Sequence, residues 1–225
     1  MGRSVVLKPS RRCERCQLPP RWCVCAAHRE IPCALAVDVL VHKREQWRPS
    51  STGNLIARTL AGARRHIWTR QTPRAREAVQ RDEREVWILH PNGEPLPSAV
   101  SPERTQVVLI DGSWRESLEM TRSIASWGRT VSLPMTGESR YWLRTQQEGA
   151  RFSTVEALLF LLRAMGLEET RAALEAQFEL HVYASLRSRG ALERAQEFLE
   201  NSPIRAAFPE VIEQLHTRRP LETGQ

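Results

Sequence analysis

The chain has 225 residues, 41% hydrophobic and 26% charged, which is room for one substantial α/β core plus a small appendage. Its longest apolar runs, such as 157–162, fall far short of a membrane span and no signal-peptide hydrophobic segment opens it, so a cytoplasmic location away from membranes is expected. Only Lys8 and Lys43 are lysines among 33 basic residues set against 26 acids; a coding bias accounts for choosing Arg, but the net charge of +7 points to nucleic acid as partner.

The first feature in chain order is a cysteine cluster. Cys13 and Cys16 form C-x-x-C, Cys23 and Cys25 form C-x-C, and Pro19 and Pro20 turn the chain between them. Two such pairs can surround one tetrahedral metal with thiolates, and in a reducing compartment a structural zinc site is favoured over disulfides. Arg15, Arg21 and Trp22 surround the knuckle and are candidate RNA contacts. Cys33 stands apart and reads as a small core residue.

Beyond the knuckle, strand and helix signals alternate. Residues 34–41 read as a strand, followed by His42, Lys43, Arg44 and Glu45; the first three are candidate RNA contacts, and Glu45 is placed to hold His42. A helix is expected over 51–63 and a polar one, entered at Pro73, over 73–84, with a strand at 86–89. The prolines of 92–104 suggest a connector. Val107 to Ile110 form a β-branched run that stops at Asp111 and Gly112, and Ser113 with Glu116 has capping-box spacing, so a helix should start at Trp114 and reach about Trp127. Asp111 thus lies where a strand turns into a helix, at the carboxyl edge of a sheet, a position that suits catalysis or a simple Asx-turn.

A further strand is expected at 130–133. In Ser139-Arg140-Tyr141-Trp142-Leu143-Arg144 the two arginines are four apart, which on a helix places both on one face, whether toward a ligand or toward solvent. Arg151 and Phe152 lead to a second capping-box spacing, Ser153 with Glu156, which opens an apolar and therefore buried helix over 155–165 whose start offers free N–H groups to an anion. Leu174, Phe178, Val182 and Leu186 recur every fourth residue in an amphipathic helix ending near Gly190, and the charged C-terminus after Pro209 is expected to fray. The βα alternation implies a mostly parallel sheet with flanking helices.

In this order, the cysteine pairs, His42-x-x-Glu45 followed by Ser51-Thr52-Gly53, Asp111-Gly112-Ser113-Trp114, Arg140-Tyr141-Trp142-Leu143-Arg144 and Ser153-Thr154-Val155-Glu156-Ala157 resemble the DTW-domain family over residues from about 13 to about 190. Its members are tRNA-uridine aminocarboxypropyltransferases. Ser113 stands where relatives have Thr, keeping the hydroxyl, and Trp142 stands where they commonly have Arg.

The resemblance implies a SPOUT-like, knotted α/β fold, with a zinc-knuckle segment over 1–30 and a catalytic domain over 31–225 whose C-terminal helices begin near 153. It implies S-adenosylmethionine as donor of a 3-amino-3-carboxypropyl group, tRNA as acceptor through N3 of a uridine, and 5′-methylthioadenosine as by-product. Asp111, Ser113 and Trp114 are then the catalytic candidates. Leu133, Ser139, Arg140, Tyr141, Arg144, Ser153 and Thr154 are candidates for the donor. The rival readings are a SPOUT-type RNA methyltransferase and a non-catalytic zinc-containing RNA-binding module. No obligate protein partner is indicated.

Overall fold

The computed structural model describes residues 12–71, 76–98, 100–144 and 152–217. Five strands, β1 (Ala36–His42), β2 (Arg64–Trp68), β3 (Glu85–Pro95), β4 (Thr105–Asp111) and β5 (Arg129–Ser132), form one parallel sheet in the order β2-β1-β4-β3-β5. Helices cover both faces: α1 (Thr52–Thr59), α3 (Thr154–Ala164) and α4 (Glu168–Ser188) on one side, α2 (Trp114–Ile124) on the other. Three further helices, α5 (Leu192–Glu200), α6 (Ile204–Ala207) and α7 (Pro209–Thr217), close around α4.

This two-sided cover explains the unbroken apolar runs of β1 and β4. Val37, Val39, Val41, Val107 and Leu109 pack with α1, α3 and α4, whereas Leu40, Val108, Val86 and Ile88 pack with Met120, Ile124 and Trp127. Cys16, Leu18, Trp22 and Val24 join the first cluster, and Gln177 Nε2 of α4 donates to the Ala27 carbonyl at 3.2 Å, so the cysteine segment is packed onto the helical layer.

Several elements differ from expectation, each for a local reason. The helix expected over 73–84 is, among the described residues, a single 3-10 turn at Arg76–Ala78; Asp82 has φ of 45°, which breaks an α-helix, and the Arg81 N–H bonds Gln106 Oε1 at 2.9 Å instead of a helical carbonyl. The helix expected over 51–63 stops at Thr59 because Leu60 bridges to Ile31 and Gly62 turns with φ of 68°. Residues 92–95, expected in a connector, extend β3 along β5 after a register shift between Leu89 and Glu94. Pro91 and Pro95 are tolerated there because β3 pairs with β4 only through Glu85–Ile88, leaving that edge without a ladder. The four-residue period of α4 suggests one apolar face, yet every residue from Gln177 to Arg187 is buried. Its charged members and its histidine are paired: Glu179 with Arg140, His181 with Pro49 and Arg58, Arg187 with the His216 carbonyl. The C-terminus does not fray at Pro209 but forms α7, which buries Ile212 and Leu215.

At the amino end of the sheet Asp38 is wholly buried, and its carboxylate accepts from Arg64 Nε, Arg81 Nε and Gln106 Nε2 at 2.8 Å each and from His66 Nε2 at 2.7 Å. Burial works against its charge, but His66, Arg64 and Arg81 together hold its pKa below the usual carboxylate range. Its contribution to stability is therefore complete above the ordinary aspartate pKa and lost as pH falls through the lowered value. Asp38→Ala, which leaves the arginines without their acid, should cost about 3–5 kcal/mol, read as the shift in denaturant midpoint; a shift within error of zero would show the cluster to be ornamental.

Candidate active site and cysteine cluster

The four knuckle cysteines come together as expected. Their sulfurs all lie within 4.8 Å of one another, with Cys13 to Cys25 and Cys16 to Cys23 both at 3.7 Å. A zinc–sulfur length of about 2.3 Å in a tetrahedron requires sulfurs about 3.8 Å apart, so the donor set fits zinc. Behind it, Arg58 of α1 feels the attraction of Cys16, Cys25 and Cys13, although burial draws its pKa down to about 10. The Arg58 guanidinium donates to His181 Nδ1 at 3.1 Å, and His181 Nε2 donates to the Pro49 carbonyl at 2.6 Å. Burial, then Arg58, lowers the His181 pKa to about 3, keeping the ring neutral and in that tautomer. A hydrogen-bonded chain thus runs from Arg58, whose charge the cysteines favour, to the loop that precedes α1.

That loop leads to Asp111. The last residue of β4, Asp111 is 5% exposed; its Oδ2 accepts from Ser51 Oγ at 2.5 Å and its Oδ1 from Thr154 Oγ1 at 2.9 Å. Ser51 is the N-cap of α1 and Thr154 the first residue of α3, so the carboxylate faces the amino ends of two helices, where dipoles and free N–H groups favour negative charge. Gly53 permits this approach: a Cβ there would sit 2.8 Å from Asp111 Cβ and 2.8 Å from Val39 Cγ1.

Around Asp111 stands a ring of charge. Glu45, in the short turn Lys43–Glu45, is paired with Arg48 at 2.7 Å and Arg144 at 3.1 Å. Burial first, and Asp111 in addition, raises the Glu45 pKa against the pull of both arginines. Arg144 is buried against its own charge, yet Tyr141, Glu45 and Asp111 together raise its pKa. The Tyr141 hydroxyl donates to the Ser50 carbonyl, and burial with help from Asp111 pushes its pKa up to about 12. The acid beside His42 is Glu116 rather than Glu45: Nδ1 lies 3.2 Å from Glu116 Oε1 and accepts from the Arg44 amide at 3.3 Å. Burial lowers the His42 pKa, so the neutral ring accepts from Arg44 and protonation would transfer the bond to Glu116.

The remaining sequence candidates divide. Ser153 caps α3 with Glu156 as expected, and Ser139 donates to the same Glu156 at 2.9 Å, which ties the 139–144 segment to α3. Residues 140–144 are not helical, and the two arginines point apart: Arg140 leaves the Asp111 cluster, pairs with Glu179 at 2.9 Å and lies 4.0 Å over the Phe198 ring. Trp142 packs edge-on against Phe198, 5.3 Å between rings. Ser113 donates through its N–H and hydroxyl to Glu116 at 2.8 and 2.7 Å, and Trp114 is 55% exposed at the start of α2. Leu133 is half-buried against the main apolar cluster. Arg15, Lys43 and Arg44 are exposed and Arg21 half-exposed, whereas Trp22 is 3% exposed with Arg187 5.9 Å over its ring, so its faces are not open to a base. Arg151 lies outside the described residues.

Ser51, Gly53 and Glu45 are the site residues whose partners sequence reasoning missed. Ser51 was legible as a helix start, but nothing local links it to an acid sixty positions away. Two outcomes follow. Gly53→Ala, which in an open helix would stabilise, should here cost about 1–3 kcal/mol by overpacking Val39 and Asp111, read from the thermal midpoint; a gain would show that α1 is free to move. Protein purified without chelator should carry one zinc per chain by elemental mass spectrometry, and Cys16→Ser should lower both the metal content and the melting temperature; metal-free protein of unchanged stability would remove the site.

No solved structure matches the chain. A family model described as the DTW domain matches residues 10–186, and because this is well over half of the sequence the protein belongs to the DTW-domain family.

Proposed function

We propose that the protein transfers the 3-amino-3-carboxypropyl group of S-adenosylmethionine to N3 of a uridine in tRNA, releasing 5′-methylthioadenosine, on a SPOUT-like fold with a structural zinc at the four cysteines. The observation that carries this reading is the meeting of Asp111, Tyr141, Arg144 and the amino end of α3 at the carboxyl edge of the parallel sheet, the edge where open α/β sheets bind their ligands. Family membership and the arginine excess support it.

Uridine N3 carries a weakly acidic proton and attacks only as it leaves. Asp111 has lone pairs beyond the two that Ser51 and Thr154 occupy, and it is the base we assign. As N3 forms its bond to the donor carbon, the carbon–sulfur bond breaks, its electron pair neutralises the sulfonium, and the proton passes to Asp111. Arg144, which also pairs with Glu45, and the positive amino end of the α3 dipole hold the donor's carboxylate. Trp114, exposed three residues after Asp111, supplies a flat apolar wall for the uracil.

The test is mass spectrometry of unmodified tRNA transcripts incubated with the donor, following nucleoside and small-molecule products. An aminocarboxypropyl gain with methylthioadenosine supports the proposal; a methyl gain with S-adenosylhomocysteine assigns the chain to the methyltransferases; no gain favours a binding module. Asp111→Asn keeps the shape, and rotated hydroxyls can still bond it, so transfer should fall about 10²-fold or more while the protein stays folded. Near-normal turnover in that variant removes Asp111 as base.

A further inference from the structure

The outward face of α2 carries more than solubility requires. Trp114, Leu118 and Arg122 follow one another at four-residue intervals with Arg115 beside them, so they form one stripe roughly 12 Å long. Trp114 is 55% and Leu118 40% exposed, two of the three large hydrophobics exposed among the described residues. Arg115 and Arg122 are exposed, and among the described residues neither has a hydrogen bond or ion pair. The nearby acids are already engaged, Glu116 by Ser113, His42 and Arg44, and Glu119 by Arg70 at 2.7 Å. The helix has its core partner on the other side, where Met120, Thr121 and Ile124 are buried.

The stripe begins at the rim of the candidate site, three residues from Asp111, and Arg44 continues it on the β1 side, 3.6 Å from Glu116. An apolar, partly aromatic strip flanked by uncompensated arginines complements stacked bases joined by phosphates. A two-fold contact between copies of the chain would bring these arginines against each other, like charge on like.

We infer that this stripe is the docking surface for the RNA strand flanking the target uridine, which runs outward from the uracil at Trp114 with its next bases on Leu118 and its phosphates on Arg115 and Arg122. The inference rests on the RNA substrate proposed above. It adds Leu118, Arg115 and Arg122, none of which the motifs single out.

The test uses the full, metal-loaded chain and a labelled unmodified tRNA transcript, titrated over a salt series. Arg115→Gln with Arg122→Gln should weaken binding and flatten the logarithmic salt dependence by about 1 to 2, whereas Leu118→Ala should weaken binding several-fold at constant slope. All three positions are exposed, so the thermal midpoint should not move. The control is Arg163→Gln with Arg205→Gln, exposed arginines of α3 and α6, which removes the same charge elsewhere. An unchanged slope in the α2 double variant, or an equal change in the control, overturns the inference. So does sedimentation showing a dimer that Leu118→Arg dissociates with tRNA affinity intact, which would assign the stripe to a second copy. The slope and the product assay fail separately: the expected slope change without group transfer keeps the surface and discards the reaction, and transfer with an unchanged slope does the reverse.

Discussion

The carboxylate of Asp111, clamped between Ser51 and Thr154, is the contact on which the arrangement of this protein depends. It fastens the end of a central strand to the starts of two helices that arrive from opposite directions along the sequence. Hydrogen bonds to an ionised group contribute about 1.5–3 kcal/mol each, and the dipoles of α1 and α3 add to them. The geometry closes only because Gly53 has no side chain to separate α1 from the strands. The carboxylate at the strand end is therefore the pin that aligns the segments around it. Its partners are two hydroxyls, one from each helix start, and the site around it is nearly closed.

The wider charge pattern follows from that pin. Each acid near Asp111 is matched by arginine, Glu45 by Arg48 and Arg144, Glu116 by Arg44, so three carboxylates can share one sheet edge without mutual repulsion dominating. The Pro49–Ser50–Ser51 loop receives support from two sides: the Tyr141 hydroxyl on the Ser50 carbonyl, and His181 on the Pro49 carbonyl. Through His181 and Arg58 the same loop is tied to the cysteine cluster. A zinc bound by four thiolates would carry net negative charge, and Arg58 is the buried cation whose charge the cysteines favour. The knuckle and the candidate site are in this way parts of one polar network, though they lie on different segments.

Much of this was legible before any coordinates. The strand expected up to Ile110, which the fold extends by one residue to Asp111, the helix starting at Trp114, the capping pair Ser153 and Glu156, and the grouping of four cysteines were all read from spacings of a few residues, and all appear in the fold. The misreadings were of another kind. The helix expected over 73–84 gave way to tertiary hydrogen bonds with Gln106, to which the Arg81 N–H donates and from which the Val79 carbonyl accepts, and β3 continued through a proline-containing stretch because only one of its edges was paired there. Arg140 and Arg144, equivalent on an assumed helix, serve Glu179 and Glu45 on opposite sides of an irregular turn.

The sequence by itself determined the sheet-and-helix alternation, the grouping of four cysteines able to hold a metal and the identity of the acid at the strand end, because caps, alternation and cysteine spacing are properties of near neighbours in the chain. Only the tertiary structure decided which hydroxyls hold Asp111, which acid lies beside His42, and that Trp22 is buried while Trp114 stands open. Only the tertiary structure likewise made α4 a hub, whose buried stretch from Gln177 to Arg187 draws the knuckle, the Pro49 loop and the 139–144 segment onto one helix. The partners it joins are as far as 150 positions apart, and burial and pairing at that range leave no periodicity in the chain to read.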